Sequence, residues 1–211
     1  MKSQYIHYGC GLTAPPEWIN FDSSPTLRIQ KIPLLGKLLK KKLNVVFPDN
    51  VLYGDITKGL PITKSSADGV FCSHVLEHLS LNEFRIALSN TYSILKTNGI
   101  FRCVLPDMEY LAKVYLKDLQ EQKPDACIKF IESTLMGKKN RTKNTLELIV
   151  NVFGNSHHLW MWDTNSLIFE LKQIGFNSIR KCNCHDSKDP MFKFVENPER
   201  FIGAVALECI K

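Results

Sequence analysis

Residues 5–22 read Tyr5-Ile6-His7-Tyr8-Gly9-Cys10-Gly11-Leu12-Thr13-Ala14-Pro15-Pro16-Glu17-Trp18-Ile19-Asn20-Phe21-Asp22. Tyr5–Tyr8 suits a short strand and runs directly into Gly9-Cys10-Gly11. Glycines at that place let backbone approach a ligand where a Cβ would clash. Alone, a Gly-x-Gly after a strand fits a mononucleotide-type site or merely a tight turn. Pro15-Pro16 obstructs a regular helix before the second strand, Trp18–Asp22, so the connection carries a short helix or none. The second strand ends in Asp22, whose carboxylate can accept hydrogen bonds from both ribose hydroxyls of a nucleoside. Asp22-Ser23-Ser24-Pro25 is also good turn chemistry, the plainer reading of the same residue.

Outward from this stretch, a third strand over Asn50–Gly54 ends at Asp55. Asp55 offers an acceptor for an adenine amino group, and Ile56 an apolar surface for its ring. A fourth strand, Gly69–Ser73, ends at His74. Ser80 and Glu83 then form a capping box. The helix it opens carries Leu81, Phe84, Leu88 and Leu95, with Asn98-Gly99 as its expected stop. A fifth strand spans Ile100–Leu105, and residues 107–153 are expected to be mainly helical. A later helix starts near Asp163, places Leu167, Leu171 and Ile174 on one face, and stops at Gly175. Closing strands are expected near Ser178–Cys182 and Phe201–Ile210. Strands alternating with helices predict an α/β fold with a mostly parallel sheet covered on both faces. Such sheets bind ligands at the carboxyl ends of their strands. Gly9, Asp22, Asp55 and His74 all fall there.

The 211 residues fit one domain, and 44% hydrophobic with 23% charged residues excludes a disordered chain. The opening MKSQYIHYGCG lacks the apolar core of a secretory signal. No apolar run approaches the roughly 20 residues of a membrane-spanning helix, so a cytosolic location is expected. The cysteines at 10, 72, 103, 127, 182, 184 and 209 form no paired framework and read as reduced thiols. Cys182-Asn183-Cys184-His185 supplies half of a metal site with no second cluster to complete it.

Ten of the 27 basic residues fall in two acid-free segments, 28–43 and 137–144, which leaves 17 against 21 acidic residues elsewhere. Residues 26–50 read as an insertion whose Leu34, Leu35, Leu38, Leu39 and Leu43 share one helical face, with lysines on the other. That face is either simply solvated or in peripheral contact, through 31–43, with the inner membrane surface or a lipid-linked acceptor. Nucleic acid is not expected, because no RNA-binding motif accompanies the charge.

Together these segments resemble a class I S-adenosylmethionine-dependent methyltransferase. The resemblance is carried by Tyr8-Gly9-Cys10-Gly11, Trp18–Asp22, Tyr53-Gly54-Asp55-Ile56 with Leu60-Pro61, and Ser65–Val70 leading into Ser73-His74-Val75-Leu76-Glu77-His78-Leu79. Leu95–Gly99, Val104-Leu105-Pro106-Asp107, His157-His158-Leu159-Trp160-Met161-Trp162-Asp163 and Gly175-Phe176 extend it. The combination is similar to a bacterial subgroup associated with surface-polysaccharide gene clusters. The resemblance implies one domain over 1–211, a helical cap at about 107–160, and a seven-stranded Rossmann-like sheet whose last strand is antiparallel. It implies S-adenosylmethionine as cofactor and S-adenosylhomocysteine as product, bound by Gly9, Cys10, Gly11, Asp22, Asp55, Ile56, Ser73 and His74. Thr13 departs from the family pattern, standing where a third glycine often occurs.

Methyl transfer needs alignment and exclusion of water. A hydroxyl of a small molecule or saccharide also benefits from a general base, a role that suits histidine at neutral pH. The candidate bases are His78 and His157, with His158 beside the latter; Trp160 and Trp162 can wall an acceptor pocket or pack in the core. His74-Val75-Leu76-Glu77-His78 also matches the zinc motif of inverted zincins. That chemistry needs both histidines on one helical face, whereas here the motif follows a strand, so no metal is expected. A methyltransferase-fold module without activity is the remaining alternative.

Overall fold

The computed structural model describes residues 3–32, 45–139 and 157–211. Its strands are β1 (Tyr5–Tyr8), β2 (Ile19–Asp22), β3 (Val51–Tyr53), β4 (Ala67–Ser73), β5 (Leu95–Pro106), β6 (Asn177–Lys181) and β7 (Ala204–Ile210). They form one sheet in the order β3-β2-β1-β4-β5-β7-β6. β1 to β5 pair in parallel, and β7 runs antiparallel to both its neighbours. Strand order reverses between β1 and β4, the switch point at which an open α/β sheet leaves a crevice for ligand.

Register assigns the faces, since side chains alternate along a strand. Ile6 and Val70 are partners, as are Cys72 and Cys103. These residues, with Phe101 and Leu105, are buried in the main core beneath helices α2 (Leu81–Ile94) and α5 (Thr164–Ile174). Phe84, Leu88, Leu167 and Leu171 are the buried helical contributors. On the opposite face Phe71, Val104 and Ala206 pack with Trp18 and Phe192, the last from a short helical turn over Pro190–Phe194. Val51, in register with Asn20, belongs to that second face. There it packs with Leu27 of α1 (Pro25–Gln30) and with Cys10 and Phe47.

The predicted capping box is present, Ser80 Oγ accepting from Glu83 N–H while the Glu83 carboxylate accepts from Ser80 N–H. Gly175 closes α5 at φ 114°. The loop from Cys10 to Trp18 contains no helix. One expectation is corrected. Asn98-Gly99 does not end α2, which stops at Ile94, and β5 begins at Leu95 rather than Ile100. Leu95 already pairs with Ala67, the register shifts, and pairing resumes between Gly69 and Ile100. Asn98, at φ 63°, lies within that irregularity. Strand pairing takes up a residue whose spacing also fits the helix.

Of the expected helical segment, α3 (Met108–Gln120) and α4 (Ala126–Thr134) are described, and they pack on each other. The leucine and lysine faces of 33–44, and the chain at 140–156, lie outside the described residues. Among the described residues no helix is long and apolar enough to cross a membrane.

Candidate active site

The loop after β1 is held from both sides. Gly9 (φ 63°) and Gly11 (φ 54°) both lie in the left-handed region, which L residues with a Cβ rarely adopt. A Cβ on Gly9 would also come 2.2 Å from Val75 Cγ2, just past β4. On Gly11 it would meet nothing within 4 Å, so that side of the loop is open. Asp22 Oδ2 accepts from Gly11 N–H (2.9 Å) and Oδ1 from Ser24 N–H (2.8 Å). Asp22 therefore fixes the glycine loop and the turn before α1 together. A carboxylate has about four acceptor positions, so two remain for a ligand.

Cys10, the middle residue of the loop, turns its side chain inward. It is buried with Leu27, Phe47 and Val51, and burial beside Asp22 pushes its thiol up to about 12. Only its backbone lines the loop, where its N–H donates to Phe21 O.

Asp55 caps a short turn over Ile56–Lys58, with Oδ1 accepting from Thr57 N–H and from Thr57 Oγ1–H at 3.0 and 2.7 Å. Burial pushes its carboxyl up, but the Thr57 hydrogen bonds and the Lys58 ammonium outweigh this and hold it below the usual range. Ile56 is 5% exposed and packs in the main core, so it offers a ligand only an edge. Asn90 of α2 holds its carbonyl at 2.7 Å.

At the end of β4, Ser73 Oγ is buried and finds no hydrogen-bond partner among the described residues. His74 follows at φ 54°, its Nε2 2.9 Å from Arg200 O and its Nδ1 3.4 Å from Glu77 Oε1. The segment before α5 folds back here: Leu159 and Trp160 N–H both donate to Glu77 O. This brings His158, not His157, against the β4 end. The rings of His158 and His78 are 5.0 Å apart, and His158 Nε2 lies 3.9 Å from Glu77 Oε1. The His157 ring instead places Nδ1 3.3 Å from Leu135 O and lines a hollow of about 650 Å³ with Ile128, Ile131 and Leu135. The carbonyl of His157 is what reaches the cluster, 3.1 Å from His78 Nδ1. A carbonyl only accepts, so His78 Nδ1 carries a proton and Nε2 is the nitrogen left for another partner.

Glu77 was legible only as a motif letter, yet it is the most unusual residue of the site. It is 1% exposed, and neither carboxyl oxygen has a hydrogen-bond partner among the described residues; His158 Nδ1 is equally orphaned. Each such buried group costs about 1–3 kcal/mol. Burial, partly offset by the Glu77 carboxyl, pushes the His158 imidazole below the usual histidine range, which keeps it neutral. Trp162 is buried and stacked on Phe84 at 4.2 Å, so it packs in the core; Trp160 stays 41% exposed.

The sheet order and crevice define the class: this is the seven-stranded Rossmann-like fold of the class I methyltransferases. A methyltransferase-domain family matches residues 7–103, the segment that carries the glycine loop, Asp22, Asp55 and the β4 end. Among solved structures, an S-adenosylmethionine-dependent methyltransferase from Archaeoglobus fulgidus is 17% identical with a TM-score of 0.51, over 99% of this chain and 86% of that one. One from Thermotoga maritima is 16% identical at 0.52, over 100% and 83%. A Haemonchus contortus phosphoethanolamine N-methyltransferase, in complex with S-adenosylhomocysteine and phosphomonomethylethanolamine, is 12% identical at 0.50, over 100% and 49%. No curated protein matches the chain.

Proposed function

We propose that this chain is an S-adenosylmethionine-dependent methyltransferase acting on a hydroxyl of a small-molecule or saccharide acceptor. The observation that carries this is the meeting of three features at the β1/β4 switch point. These are a glycine loop open on one side, Asp22 with spare acceptor capacity, and the buried, unpartnered Ser73 Oγ. They fit the cofactor: backbone at Gly9–Gly11 can lie against its amino-acid portion, Asp22 can accept from the ribose, and Asp55 can accept from the adenine amino group. Ile56 gives the ring an edge, and Cys10 serves through its backbone. When bound, S-adenosylmethionine supplies a sulfonium methyl group that a nucleophile displaces in line.

The chain's own task is then to hold the acceptor and take up its proton. His78 presents Nε2 beside Glu77 and His158, and His157 orients it through its carbonyl. His74, braced by Arg200 O, closes the strand end. An inactive module has no use for this uncompensated cluster. The basic segment 31–43 reads as a contact to anionic lipid or to a lipid-linked saccharide. On this reading the protein works in the cytoplasm, at the inner membrane surface, in surface-polysaccharide biosynthesis. Its support is the sequence pattern.

The test is incubation with methyl-labelled S-adenosylmethionine and an extract of the native cell, read by mass spectrometry. A labelled, glycosidic or other hydroxyl-bearing product is expected. Label confined to amine or thiol products overturns the hydroxyl assignment, and no labelled product overturns the enzyme.

A further inference from the structure

We infer that Glu77, His78 and His158 form a binding site for one divalent first-row transition-metal ion. Sequence alone predicts no metal at His74 and His78, because the motif is not on a helix. That ground holds against a zincin helix: His74 sits at a left-handed residue and Leu76–His78 form a single tight turn. The set proposed here is different, and His158 completes it from 80 residues downstream.

One ligand atom from each of the three residues lies within 4.8 Å of the others. Bonds of about 2.0–2.2 Å around such an ion place its ligand atoms about 3.4 Å apart, within reach of side-chain rotation. The contacts around the three residues suit coordination. His78 donates from Nδ1 to His157 O, the outer contact that commonly fixes a ligating imidazole and leaves Nε2 for the metal. His158 turns Nε2 towards Glu77 Oε1 at 3.9 Å. Glu77 has two buried oxygens with no donor among the described residues. Two imidazoles and one carboxylate suit zinc, iron, cobalt or manganese better than magnesium or calcium. Three protein ligands also leave positions open for an acceptor oxygen.

A second cluster, Cys184, His185 and Glu196, meets the same spacing. There, however, Glu196 already accepts from Arg102 and from His185 N–H. That carboxylate needs no cation.

The assignment deepens the methyltransferase reading and rests on it for purpose: the ion would hold the acceptor hydroxyl and make it more acidic, its proton leaving to solvent, and with the ion bound His78 would serve as a ligand in place of the base. Binding itself is tested apart from catalysis. The untagged full chain, stripped with EDTA, is titrated with Co²⁺ and followed by visible d–d absorption, with S-adenosylhomocysteine affinity measured in parallel. One equivalent of Co²⁺, displaced by Zn²⁺, is expected. Loss of an outer-shell partner typically costs about 10–100-fold in metal affinity, so Glu77→Gln and His158→Ala should each lose at least about 100-fold, and Cys184→Ser should lose none. Circular dichroism of the variants separates ligand loss from unfolding. If His158→Ala does not fold, unchanged Co²⁺ affinity in Glu77→Gln alone overturns the site. Absence of stoichiometric Co²⁺, or a thiolate charge-transfer band lost in Cys184→Ser, overturns it as well. Cofactor binding without Co²⁺ sinks this inference alone; Co²⁺ binding without cofactor binding keeps the metal site and sinks the methyltransferase reading.

Discussion

Glu196 and Glu77 are both buried carboxyl groups, and the protein serves them in opposite ways. Glu196 accepts from Arg102 Nε–H at 2.7 Å and from His185 N–H at 2.6 Å. Arg102, itself buried on β5, also donates to Glu208 at 2.6 Å, Asp186 at 3.0 Å and the Asn183 carbonyl at 2.9 Å. Every strong donor of that guanidinium is used, which is the condition under which a buried ion pair is tolerated. Glu77, at the end of β4, has imidazoles at 3.4 and 3.9 Å, and neither oxygen has a hydrogen-bond partner among the described residues. Both sites have the same residue type and burial. The Arg102 network is closed; the Glu77 cluster has acceptors without donors among the described residues, which is why the binding site is proposed there.

The comparison breaks most visibly at Arg102. Arg102→Leu strands Glu196 without a cation, while Glu208 keeps Arg180, and should cost about 3–5 kcal/mol, measured by denaturant unfolding. A loss below about 1 kcal/mol would mean that the network is not what anchors β5 to β7. Gly9→Ala comes next at about 2–3 kcal/mol, since its Cβ both enters Val75 and strains a left-handed residue. Gly11→Ala should cost only the backbone part, about 1 kcal/mol. Equal costs would show that Val75 does not pack on Gly9 as described.

Acid sharpens the same contrast. Burial pushes Asp186 up, but hydrogen bonds from Arg180, Asn183 N–H and Arg102 outweigh it and hold the carboxyl down to about 2. A depressed folded-state pKa stabilises above the unfolded value of about 3.9 and is lost as pH falls towards 2. Arg180→Ala should flatten that limb of the stability–pH curve by up to about 1 kcal/mol, small because Arg180 is 40% exposed. An unchanged acid limb would remove Arg180 from the network. The smallest effect belongs to Glu77→Gln in metal-free protein. It breaks no hydrogen bond, so stability should change by less than about 1 kcal/mol or rise. A loss comparable with Arg102→Leu would show that Glu77 is structural after all.

Sequence made the scaffold legible where a side chain states its own job. Ser80 with Glu83 announces a helix start, and Asp22 and Asp55 announce strand ends, since both needs are local. Leu95 shows where this fails: its spacing fits α2, but long-range pairing with Ala67 places it in β5. The direction of the Cys10 side chain is not legible either, because which face of a loop points inward depends on Leu27 and Phe47, far along the chain. His157 and His158 are adjacent in an irregular segment, and no local signal says which faces His78. The bonds from Leu159 and Trp160 to Glu77 O decide it. Glu77 itself reads as a buried orphan only once its surroundings are seen.

The central claim is that the open glycine loop and Asp22 bind S-adenosylmethionine at the switch point, and calorimetric titration with S-adenosylhomocysteine tests it most directly. The wild-type chain should bind one equivalent. Asp22→Ala should lose about 1.5–3 kcal/mol, the range for charged hydrogen bonds, while circular dichroism confirms that it folds. No binding by the wild type, or full affinity in a folded Asp22→Ala, would contradict the account.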